Sequence, residues 1–151
     1  MPRRLLALLL SILPLPALAQ GQAVASQGGL TLRLALAPEA SAALAEAGES
    51  VVVRVWLYGE PASPEAPVNE VGLVDLGVAE LTVAPGDARL TVGGLFGPGQ
   101  AALVTEPFVN VNVFTARLSD EANLLACDAL DEPLAQAARR EPVLACRLLA
   151  P

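Results

Sequence analysis

Four kinds of side chain in this 151-residue chain could do chemistry: two cysteines, sixteen carboxylates, a pair of neighbouring amides and a handful of aromatic rings. Histidine is absent, and all nine basic residues are arginine, so lysine is absent too. Without histidine the usual general base is gone, with the Ser-His-Asp and Cys-His arrangements and most zinc sites. Without lysine there is no Schiff-base chemistry and no Ser-Lys dyad. Cys127 and Cys146 are far from CxxC spacing. An even pair of this kind reads as a structural disulfide of an oxidising compartment, not as a catalytic thiol. Closing a loop of about twenty residues would stabilise the fold by roughly 3 kcal/mol through chain entropy.

Paired carboxylates, as in glycoside hydrolysis, are the catalytic chemistry left over. Nothing in the sequence places two acids in one cleft, and aromatic platforms for sugar stacking are scarce. The acid-rich run Asp120, Glu121, Asp128, Asp131 and Glu132 lacks the D-x-D-x-D-G spacing of a calcium loop. It reads as a solvated, charged loop. No metal and no cofactor are expected.

The amides lie in PFVNVNVFTAR, Pro107 to Arg117. Strict alternation over these residues predicts a β-strand. Val109, Val111, Val113 and Thr115 take one face; Phe108, Asn110, Asn112 and Phe114 take the other. The valine row belongs in a core, which leaves the amides on an outer face where they meet water without penalty. Two exposed phenylalanines beside them would form an adhesive patch. The reading preferred here is that segments after Arg117 reach back over these rings.

The elements that would position this strand follow from the same periodicities. Leu30, Leu32, Leu34 and Leu36 alternate with smaller or polar residues, with Arg33 outward, as in a half-buried strand. Pro38-Glu39, an alanine-rich run and Gly48 mark a short helix lying over one end of a sheet. In SVVVRVWLYGEP, Val51, Val53, Val55 and Leu57 face the core, while Val52, Arg54, Trp56 and Tyr58 face the other way. Residues 60–69 form a proline-containing loop. Pro85-Gly86-Asp87 provides turn chemistry between two LTV triplets, 81–83 and 90–92, which predicts a hairpin. Gly97-Pro98-Gly99 is a further turn, with a short strand over 101–104. Beyond residue 117, apolar segments at 124–127 and 143–149 flank a helix or loop over 131–140, and the disulfide staples this excursion to the sheet.

The amino terminus carries Arg3 and Arg4, an apolar run over Leu5–Leu13, helix-breaking Pro14 and Pro16, and Ala17-Leu18-Ala19. This is the pattern of a cleaved secretory signal over 1–19, and the apolar run is short of the ~20 residues that span a bilayer. A flexible leader over 20–29 follows, then a single domain over 30–151. Cleavage would move the formal charge from −7 to −9, since 16 acids and 7 of the 9 arginines stay behind. A surface so poor in clustered cations excludes the phosphate-tracking footprint of a nucleic-acid binder. Apolar residues make up 54% of the chain and aromatics 3%, so the core is built from Leu, Val and Ala.

Regularly spaced strands with turn residues between them favour an all-β, antiparallel β-sandwich, immunoglobulin-like or related, ahead of a small barrel. The likeness is one of architecture only, because the cysteines are too close together for an inter-sheet bridge. The functional expectation is an exported, periplasmic or secreted, soluble accessory protein that does not span the membrane once the signal is cleaved. It is a non-catalytic binding or scaffolding domain of the cell envelope whose partner is a protein or an envelope component. One alternative is a carbohydrate- or envelope-binding module using Asn110, Asn112, Phe108, Phe114, Trp56 and Tyr58. Another is a carboxylate-based hydrolase.

Overall fold

A computed structural model describes residues 29–149. The expected signal peptide, and the leader before residue 29, lie outside the described residues. Among the described residues, eight strands and three short helices succeed one another. They are β1 Leu30–Leu36, α1 Pro38–Glu46, β2 Val51–Gly59, β3 Val74–Val83, β4 Ala88–Val92, α2 Pro98–Ala101, β5 Phe108–Thr115, β6 Leu125–Cys127, β7 Leu130–Pro133, α3 Leu134–Arg140 and β8 Val143–Leu148. The strands form two four-stranded sheets, ordered β4-β1-β8-β6 and β3-β2-β5-β7.

Alternation dictates which residues turn inward. Leu30, Leu32, Leu34 and Leu36 of β1, Val51, Val53, Val55 and Leu57 of β2, and Val109, Val111 and Val113 of β5 are all buried. They join one hydrophobic cluster drawn from both sheets, with Leu144 and Cys146 of β8. Each such side chain contributes about 1.5–3 kcal/mol by leaving water. A long aliphatic row therefore does what the scarce aromatics cannot. Helix α1 starts at Pro38 and adds only Ala40 and Leu44 to this core, as its narrow apolar face requires. Gly48 ends it in the left-handed region, at φ 68°, where a side chain would be strained.

The connections differ from the sequence reading in four places. The two LTV triplets do not pair as a hairpin: β3 pairs with β2 and β4 with β1, so the Pro85-Gly86-Asp87 turn carries the chain from one sheet to the other. Asp87 secures that passage by accepting a hydrogen bond from the Leu36 amide at 3.0 Å. Residues 101–104 do not form a strand; α2 and a turn occupy this stretch, and only Val104 bridges, to Pro61. The sheets are not wholly antiparallel, because β1 runs parallel to β8. Finally, the segment after residue 117 is not an excursion held outside a sheet. It supplies β6 and β8 to one sheet and β7 to the other.

The Cys127–Cys146 disulfide is present. It links directly opposed residues of the neighbouring strands β6 and β8, with Cα atoms 4.1 Å apart, and so reinforces an existing ladder within one sheet.

Candidate functional site

The outer face of the β3-β2-β5-β7 sheet gathers every side chain singled out above for binding. Register fixes its rows. Tyr58 lies beside Phe108, Trp56 beside Asn110, Arg54 beside Asn112 and Val52 beside Phe114. On the β3 side the matching neighbours are Asp75, Val78, Glu80 and Thr82. On the β7 side, Pro133 adjoins Phe108 and Asp131 adjoins Asn110. A bulge makes the β3 contribution work: pairing shifts between Leu57 and Tyr58, so Leu76 has no partner across the strands. That extra residue lets Leu76 stay buried while Asp75, Val78 and Glu80 are all exposed. Gly77, beside the bulge, is needed because a Cβ there would stand 2.7 Å from the Leu95 carbonyl oxygen.

The rings form a connected row. Trp56 stacks on Tyr58 with centroids 4.3 Å apart, and Tyr58 leans on Phe108 at 5.8 Å. Polar partners hold Trp56 and Tyr58 in place. The Trp56 indole N–H donates to Asp75 Oδ1 at 2.8 Å, and Asn69 Nδ2 donates to the same oxygen at 3.2 Å. The Tyr58 hydroxyl donates to Asp131. Burial, with that bond and the carboxylate charge, pushes the Tyr58 pKa up to about 12, so its hydroxyl stays a neutral donor. Asn112 Nδ2 donates to Asn110 Oδ1, and the Asn112 side-chain carbonyl and the Asn110 amino group make no further side-chain hydrogen bond among the described residues.

Two concavities flank the stack. On the Trp56 side lies a broad, open depression of about 1000 Å³, bordered by Arg54, Asn110, Asn112, Phe114 and Arg117 among others. On the Tyr58 side a recess of about 490 Å³ is bordered by Glu60, Glu106, Thr105, Leu73 and Phe108. Gly59 allows the second: a Cβ there would meet the Glu106 carbonyl oxygen at 2.6 Å. This close approach brings the two glutamates to one end of the face.

Phe108 and Phe114 are both half-buried, and residues after Arg117 reach them at their flanks. Phe108 is flanked by Tyr58 and by Pro133 of the edge strand. Phe114 borders the depression with Arg117 and Asn123 of the turn that follows its own strand. Cover comes from the sides, and the face itself stays open.

One residue that sequence reasoning missed holds this turn. Glu49 is only 3% exposed. Its Oε2 accepts from the Leu118 amide at 2.9 Å and from the Ser119 amide and hydroxyl at 3.0 Å; its Oε1 accepts from the Ser50 amide at 2.9 Å. The Ser119 amide, together with the other donors, holds the carboxyl below its ordinary pKa despite burial. The signal lay in Gly48, whose left-handed turn ends α1 and brings the Glu49 amide to the Leu44 carbonyl at 2.8 Å. Because the folded pKa is lowered, the charge stabilises the fold fully above the unfolded value of about 4.3. That stabilisation fades as pH falls through the folded value. Glu49→Gln should therefore melt well below the parent at pH 7, with the difference shrinking as pH falls below the unfolded value. A difference that stayed constant with pH would show that shape, not charge, was lost.

Among the described residues no group of three or more acids and cysteines is placed to hold a metal ion. No described helix is long and apolar enough to cross a membrane. No protein-family model matches the chain, and comparisons with curated proteins and with solved structures find no match.

Proposed function

We propose that this chain is an exported, non-catalytic binding domain whose two sheets pack as a β-sandwich of immunoglobulin-like architecture. Its ligand is a glycan of the cell envelope or its surroundings, taken on the outer face of the β3-β2-β5-β7 sheet. One observation carries this reading: a row of Trp56, Tyr58 and Phe108 stands beside Asn110 and Asn112 over a wide, open depression. Apolar ring faces suit the C–H faces of a sugar, and amides supply both donors and acceptors for hydroxyl pairs. The sandwich is supported by the single buried cluster drawn from both sheets. Export is supported by the amino-terminal pattern and by the disulfide. The missing histidine and lysine, and the paired cysteines, favour binding over catalysis.

Trp56 is the only tryptophan in the chain, so its fluorescence reports on this face alone. Titration with soluble envelope oligosaccharides should change its intensity saturably, and Asn112→Ala should weaken binding about tenfold while leaving the melting temperature in place. Fluorescence that stays flat with every glycan class would end this reading. The Glu60–Glu106 recess favours a second one, a carboxylate hydrolase. Glycan cleavage that disappears in Glu106→Gln would establish it.

A further inference from the structure

Arg117 is a bulky residue held at φ 61°, in the left-handed region that glycine or asparagine occupies at little cost. A backbone in this state persists only where its surroundings over-determine it, and such residues cluster at ligand-binding positions. The surroundings here are explicit. On one side the Ala116 amide donates to the Ser50 carbonyl at 2.8 Å; on the other the Leu118 and Ser119 amides are gripped by buried Glu49. Between these anchors the exposed Arg117 side chain borders the depression beside Phe114 and Asn112.

Among the described residues its charge has no ion-pair partner. The ion pairs of the described residues join Arg54 to Glu80, Arg89 to Glu141 and Arg140 to Glu132. Asp120 and Glu121 follow closely in sequence, yet neither lies within ion-pair distance. The acids nearer the depression are engaged elsewhere: Asp75 accepts from Trp56 and Asn69, and Glu80 stands 3.6 Å from Arg54. A strained backbone thus presents an unneutralised guanidinium at the rim of an amide-lined surface, on a chain of net charge −7.

We infer that the glycan bound on this face carries carboxylate groups, and that Arg117 binds one of them, Arg54 being already engaged by Glu80. This rests on the glycan reading above and names its ligand class. A guanidinium matches a carboxylate in a two-point, planar fashion. A densely phosphorylated polymer is a poorer fit, because it demands clustered cations that this face lacks. An isolated carboxylate on an otherwise hydroxylated chain needs one fork among several amides, which is what the depression offers.

The test uses two probes with the same sugar backbone, hexagalacturonate and its uncharged, fully methyl-esterified form, each titrated against the intact protein by Trp56 fluorescence. The acid should bind at least tenfold more tightly than the ester, and that preference should shrink as salt is raised. Arg117→Gln should reduce acid binding to the ester's level, Arg54→Gln should reduce it little, and Arg117→Lys should retain part of the preference. Arg117→Gly separates presentation from stability: it relieves the backbone, so its melting temperature should hold or rise while the preference is lost. Equal binding of acid and ester by the parent, or a preference that survives Arg117→Gln, overturns the inference and leaves the glycan reading standing. Failure of the parent to bind either probe overturns the inference, while the glycan reading still faces its own titration with other envelope sugars.

Discussion

Replacing Cys127 and Cys146 together by alanine should lower the stability by about 3 kcal/mol. The bond closes a loop of roughly twenty residues in the unfolded chain, and releasing it restores the conformational entropy that closure removes. The native state should barely change, because the two strands stay paired by their own ladder and Cys146 is buried in the common core. Denaturant melts of parent and double variant give the difference directly. A loss below about 1 kcal/mol would mean that the unfolded chain already holds β6 near β8 without the bond.

Val111→Ala and Asn112→Ala should separate cleanly, although the residues are neighbours. Val111 is 0% exposed in the middle of β5, and shortening it should cost about 1–3 kcal/mol through lost burial and an unfilled void. Asn112 is exposed on the other side of the strand, where changes usually stay within about 0.5 kcal/mol. A slip of one residue in the β2–β5 pairing would exchange the faces and invert the order of the two costs. Equilibrium unfolding of both variants decides between the registers. If Asn112→Ala is the more damaging, the amides are buried and the open face described above does not exist.

Strands were legible wherever one face is buried and the other wet, because a period of two then shows in the residue types. β1, β2 and β5 read correctly down to the face of each valine and leucine. The two LTV triplets failed for a specific reason. A Pro-Gly-Asp turn fixes a change of direction but not which sheet receives the next strand, and that choice depends on the distant edge of β1. The carboxyl-terminal strands were obscured by their shortness, with β6 and β7 only three and four residues long. The aromatic and amide members of the face were visible as outward positions of two strands. Their union into one surface needed the β2–β5 register. Asp75, Glu49 and Arg117 were not visible, because a bulge, a helix-terminating turn and a left-handed residue leave no periodic trace.

The parallel pairing of β1 with β8 has a mechanical meaning. Parallel neighbours point the same way, so residue 30 lies at one end of the pair and residue 148 at the other. A pull between those two positions drags the strands lengthwise past each other. Every bond of the ladder from Arg33↔Val143 to Leu36↔Cys146 then bears load together, with the Arg33 amide on Pro142 and the Ala37 amide on Cys146 at its ends. An antiparallel pair pulled from one end would instead open bond by bond. Tension along the chain therefore meets this domain in shear, the direction in which a β-ladder resists most.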